Sequence, residues 1–95
     1  MSFGFVAFHY PAPEHVEEFV ARCHQVAELS RSQPGHLSTE VWVTPDQEAV
    51  VTTGSFASEE AFRAAAEGAR ELGATPDGLS ELEVRPRQVH WLVSR

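Results

Sequence analysis

Lysine is absent from this 95-residue chain; its seven basic residues are all arginines, set against fourteen acidic ones, and the net charge is −7. A surface that grips a polyanion carries a basic stripe, and no such stripe is written here, so nucleic acid is not expected as a partner. The acidity itself reads as a solvated surface that aids solubility. Cysteine is almost absent too. Cys23 alone can close no internal disulfide, and no Cys-rich zinc pattern exists, which favours a reducing, cytoplasmic setting. The opening MSFGFVAFHYPAP has no basic residue, and its apolar run is too short for a signal or a membrane span; direct entry into folded structure is expected, with no membrane partner. Five histidines are present, but neither His-x3-His nor His-Glu-x-x-His spacing occurs, so no metal site is expected.

What is present is a pattern of short apolar periodicities, enough for a single domain over residues 1–95 with one modest core. Phe3 to Tyr10 is an apolar and aromatic run suited to a central strand. Phe3, Phe5, Ala7 and His9 share one face of it, and Gly4, Val6, Phe8 and Tyr10 the other. Pro11 and Pro13 end this strand. From Glu14 to about Ser32, Val16, Phe19, Val20, Cys23, Val26 and Ala27 recur at helical steps, and Pro34-Gly35 stops the helix. Cys23 on this stripe reads as an inert core thiol.

His36 to Thr44 and Ala49 to Phe56 form a hairpin around a turn begun by Pro45. Pairing Thr44 with Ala49 sets Val43 opposite Val50, Val41 opposite Thr52, Thr39 opposite Gly54 and Leu37 opposite Phe56. Ser58 is placed to cap a second helix with the stripe Phe62, Ala65, Ala66, Ala69 and Leu72, stopped by Gly73. Its alanines imply either close packing on the sheet or a pocket beneath. Ala74 to Ser80 reads as a loop, and Leu82 to Val93 as a last strand. Pro86 confines that strand to a sheet edge or a bulge. The order strand, helix, strand, strand, helix, strand is the split βαβ of an α+β ferredoxin-like fold, βαββαβ: a four-stranded antiparallel sheet with two helices on one face. Val6, Phe8, Tyr10, Trp42 and Val51 are left on the other face without a covering element, so a homodimer through the sheet face is expected.

PGHLSTEVW, followed by a strand running into SFASEEAFRA, resembles the antibiotic biosynthesis monooxygenase family, over nearly the whole chain. The resemblance implies the dimeric α+β barrel fold and a ligand pocket between sheet and helices. It also implies a cofactor-independent monooxygenase, an oxidoreductase acting on an aromatic, quinol or polyketide-like small molecule. Where family members commonly carry tryptophan after Glu-Arg, this chain has Gly54-Ser55-Phe56. On that difference rests the competing expectation, a non-catalytic dimeric small-ligand-binding or accessory protein on the same scaffold. The heme-degrading branch carries an asparagine on the first strand and a histidine late in the second helix. Here His9 stands at the first position and no histidine occurs from Ala61 to Thr75, so no heme and no other cofactor is expected.

Two histidines interrupt apolar strands, His9 on the first and His90 on the last. An imidazole there can take a proton from an acidic phenol or enol, and these are the candidate catalytic residues; the alternative is a hydrogen-bonded structural histidine. Phe56, Thr52, Gly54 and Val41 share the helix-facing side and are the candidate substrate-binding residues. Trp42 is expected on the dimer face, and Trp91 in the core or interface. Arg85 and Arg87 read as an edge-strand charge pair or as anchors for an anionic substrate.

Overall fold

In a computed structural model describing residues 1–71 and 82–95, the strands are β1 (Phe3–His9), β2 (His36–Val43), β3 (Val50–Phe56) and β4 (Gln88–Val93). The helices are α1 (Val16–Arg31), entered through a short 3-10 turn at Pro13–His15, and α2 (Glu59–Glu71). All strand pairs are antiparallel, in the order β2-β3-β1-β4. This is the ferredoxin-like arrangement, with β1 central and β4 at the edge. The expected stop at Gly73 and the loop from Ala74 to Ser80 lie outside the described residues, as do Leu72 and the side chain of Ala69.

The α1 stripe turns inward as its spacing dictates. Val16, Phe19, Cys23 and Ala27 are buried, and Phe19 and Val50 are the largest fully buried side chains. The Ser58 hydroxyl accepts the backbone N–H of Ala61 at 3.0 Å, so α2 starts on its N-cap. Gly35, at φ +83°, makes the turn into β2; a Cβ there would come within 2.7 Å of that of Ala61. An L side chain would be strained in that conformation as well as crowded.

The hairpin keeps its expected register from Val43↔Val50 through Thr39↔Gly54. It departs at Leu37, where a bulge between His36 and Ser38 sets His36, not Leu37, opposite Phe56. The extra residue releases Leu37 to 57 % exposure, while the His36 ring meets Phe56 edge-on at 5.4 Å. A second irregularity lies at Pro86. Phe8 pairs with Gln88 and Pro11 bridges Glu83, so His9 and Tyr10 face the four residues Val84 to Arg87. Pro86, lacking a donor, sits in this bulge, and β4 begins after it rather than at Leu82.

Truncating the residue at the centre of this core gives a direct measure of its packing. Phe19→Ala is expected to lower unfolding free energy by about 3–5 kcal/mol in denaturant titration.

Candidate functional site

Period-2 alternation puts Phe5, Ala7 and His9 of β1 on the side of the sheet that carries the helices. Thr52 and Phe56 of β3, Thr39 and Val41 of β2, and Val89 and Trp91 of β4 join them there, under Cys23, Val26 and Ala27 of α1 and Phe62 of α2. Between the layers is a cavity of about 260 Å³. That volume lies near the lower end of pockets that hold small organic ligands, and the lining is mainly apolar, as such pockets are. The alanine-rich α2 thus does not close onto the sheet everywhere.

The cavity has two unlike ends. At one, Phe3, Phe5, Phe56, Phe62 and Trp91 form a cluster with ring centroids 5.4–6.3 Å apart. Their contacts are tilted or edge-on, except that Phe3 stacks on Trp91 at an interplanar angle of 20°. Trp91, 58 % exposed, forms the rim of the cavity rather than part of the core. Gly54 acts indirectly. A Cβ on it would come within 2.6 Å of Phe5 Cε1, so the missing side chain is what seats the Phe5 ring across β3.

The other end is polar. His9 is 6 % exposed, with its ring 5.1 Å from that of Phe19. Its Nε2 lies 3.2 Å from the Thr52 hydroxyl and its Nδ1 3.4 Å from Glu83 Oε1. The Glu83 side chain is 4 % exposed. Its Oε1 accepts the Tyr10 backbone N–H at 3.1 Å, and its Oε2 accepts Arg87 Nε–H at 2.9 Å, with Arg87 Nη2 at 2.6 Å. Burial lowers the pKa of His9 from 6.5, a change opposed by the Glu83 charge and reinforced by that of Arg87. Burial likewise pushes the Cys23 thiol up to about 11, so it stands as an unreactive thiol.

His90 does not join His9. The Pro86 bulge sets it opposite Val6, on the sheet face turned away from the helices, where its ring meets Phe8 edge-on at 6.4 Å. Thr52, Val41 and Phe56 do meet His9 around one cavity. Glu83 gave no signal in the sequence beyond its i,i+4 spacing to Arg87, because its inward direction depends on the bulge. Arg87 is paired with Glu83, and Arg85, exposed, lies 4.2 Å over the Tyr10 ring and outside the cavity lining. The Tyr10 hydroxyl is 3.3 Å from Gln88 Oε1. Among the described residues no cluster of three or more His, Cys, Asp or Glu residues could hold a metal ion, and no helix is long and apolar enough to cross a membrane.

The family model of the antibiotic biosynthesis monooxygenases matches residues 2–70. The chain belongs to this family. Comparison with curated proteins finds no match. Solved structures extend the likeness across the fold. Rv0793 from Mycobacterium tuberculosis superposes with a TM-score of 0.88 at 19 % identity, covering 100 % of this chain and 96 % of its own. SnoaB from Streptomyces nogalater, a cofactor-independent oxygenase solved in a mutant form, gives 0.76 at 22 %, covering 99 % and 93 %. The ActVA-Orf6 monooxygenase of Streptomyces coelicolor, solved in complex with nanaomycin D, gives 0.78 at 25 %, covering 99 % and 87 %. The likeness is one of fold: a four-stranded antiparallel sheet with two helices.

The lowered pKa of His9 has a consequence for stability. Below pH 6.5 the unfolded chain takes a proton on this imidazole before the folded protein does. The contribution of His9 is therefore full above that pH and is lost as pH falls toward the folded-state value. Thermal melts between pH 8 and pH 5 are expected to show a decline that is smaller in His9→Gln; parallel curves would refute this assignment.

Proposed function

We propose that this protein is a cofactor-independent monooxygenase of a flat aromatic, quinol or polyketide-like molecule, with His9 as the proton acceptor. The observation that carries the reading is the His9 imidazole, 3.2 Å from the Thr52 hydroxyl, at the polar end of a mainly apolar cavity that Phe5, Phe56, Phe62 and Trp91 help to line. Family membership and the oxygenase character of SnoaB and ActVA-Orf6 support it.

A ligand whose rings lie among Phe5, Phe56, Phe62 and Trp91 presents a polar edge to His9 and Thr52. Transfer of a phenol or enol proton to His9 leaves an electron-rich carbanion. This carbanion can pass an electron to O2, combine with the resulting superoxide at carbon, and lose water from the hydroperoxide. For a CH2 group flanked by rings the balance is CH2 plus O2 giving C=O plus H2O, with all electrons supplied by the substrate. General-base assistance of this kind contributes typically about 10²–10⁴-fold.

Oxygen uptake with a panel of anthrones and hydroquinones tests the reading. Consumption above a heat-killed control is expected, reduced about 100-fold or more in a folded His9→Ala variant. Binding without turnover, or turnover unaltered by His9→Ala, would overturn it.

The same proposal includes a homodimer through the open sheet face. Val6, Phe8, Trp42, Val51 and Leu92 lie there together, with Trp42 59 % and Leu92 47 % exposed. No described helix covers them, and contiguous apolar surface of this kind calls for a partner. Light scattering is expected to give twice the chain mass for the native protein and the single-chain mass for Trp42→Arg. A native monomer would remove this part of the proposal.

A further inference from the structure

We propose that Glu83 is a positioning residue that fixes the tautomer of His9, holding the proton on Nδ1 so that Nε2 presents its lone pair to Thr52 and the cavity. This inference deepens the reading above and rests on it for its catalytic meaning; the tautomer itself can be measured without turnover.

The argument begins with donors and acceptors. An ionised carboxylate only accepts, so the nitrogen facing it gains by carrying a proton. His9 Nδ1 lies 3.4 Å from Glu83 Oε1, an ion-pair distance without hydrogen-bond geometry, so the carboxylate acts on it through its charge; neutral imidazole has a single N–H. Nε2 is then the acceptor, and the Thr52 hydroxyl at 3.2 Å can donate to it. The partner of one ring nitrogen thus decides the chemistry of the other. With the opposite tautomer, Nε2–H would point at Thr52 and no base would face the cavity.

Glu83 is itself fixed. The Tyr10 backbone N–H and the Arg87 guanidinium hold its two oxygens, and the Pro11 bridge anchors its backbone to the chain beyond β1. Arg87 pairs with the Glu83 carboxylate and offsets its charge beside His9. The other groups packed against the imidazole are Thr52 from β3 and Phe19 from α1. Cys23, also on α1 and lining the cavity, remains a neutral thiol. A ligand proton reaches Nε2 either directly, displacing Thr52, or through the Thr52 hydroxyl, which gives its own proton to Nε2 and takes that of the ligand. Either route leaves an imidazolium whose Nδ1–H faces Glu83.

The test is nitrogen-15 NMR of His9 in the wild-type protein above pH 7, with Glu83→Gln and Arg87→Gln beside it. Wild-type Nδ1 is expected to be protonated and Nε2 bare; a bare Nδ1 overturns the proposal even if neither variant folds. Glu83→Gln should lower the titration midpoint of His9 and Arg87→Gln should raise it, since their charges act on the imidazole with opposite sign. Shifts of the same sign, or none, overturn it. If the wild type turns over a substrate, Glu83→Gln should lower kcat by about tenfold or more with KM little changed. A KM effect alone would assign Glu83 to binding and refute a positioning role. If no substrate is oxidised while the tautomer and both shifts appear as stated, the monooxygenase reading fails and the role of Glu83 stands.

Discussion

A carboxylate as little exposed as that of Glu83 can stay ionised only if donors surround it, and the far end of this fold is arranged around that requirement. Arg87 supplies charge and an N–H, Tyr10 supplies a backbone N–H, and His9 brings its Nδ1 to the remaining side. Glu83 and Arg87 come beneath the end of β1 through irregular pairing of the edge chain. Between Pro11↔Glu83 and Phe8↔Gln88 the edge chain carries four residues against two, and this surplus turns Glu83 and Arg87 in beneath the end of β1. Pro86, which cannot donate to a ladder, lies in the surplus.

The same bulge separates the two histidines. Counting through it places Gln88, His90 and Leu92 on the open face and Val89 and Trp91 on the cavity face. One edge strand therefore serves two surfaces: an indole at the cavity rim, and an imidazole beside Phe8 on the apolar side of the sheet. The open face and the cavity are separated by only the thickness of a sheet, yet they draw on alternate residues of every strand. A substitution on one face need not disturb the other.

This division explains which parts of the molecule were legible from residue order. Wherever alternation runs unbroken, the faces follow directly: Phe5, Ala7 and His9 inward on β1, and Thr52, Gly54 and Phe56 inward on β3. The helical stripe from Val16 to Ala27 is equally direct, since spacing alone fixes its buried side. Legibility ends at the two bulges. Leu37 lies one residue past the point where β2 loses register, so parity assigned it to the wrong partner. Glu83 lies beyond Pro86, where the count of extra residues is set by tertiary pairing and by no local signal. The cavity was legible as a location but not as a composition. Trp91, Phe62 and Arg87 reach it from segments whose rotation about the sheet only packing decides.

The electrostatics at His9 combine two demands that oppose each other in most environments. A base must be neutral at rest, and burial behind Phe19 secures that by penalising the imidazolium. The base must also tolerate the proton it takes, and burial alone would make the product of that step costly. Glu83 offsets the cost where the charge appears, because Nδ1–H already faces its carboxylate when Nε2 is protonated. Arg87 limits how far this compensation goes, since a fully uncompensated Glu83 would favour a charged imidazole. The resting site therefore holds a balanced Glu83–Arg87 pair, a neutral imidazole and a neutral Cys23 thiol. Under the proposed reaction, a neutral aromatic acid, whose charge appears only after it has entered, is the ligand that this balance fits.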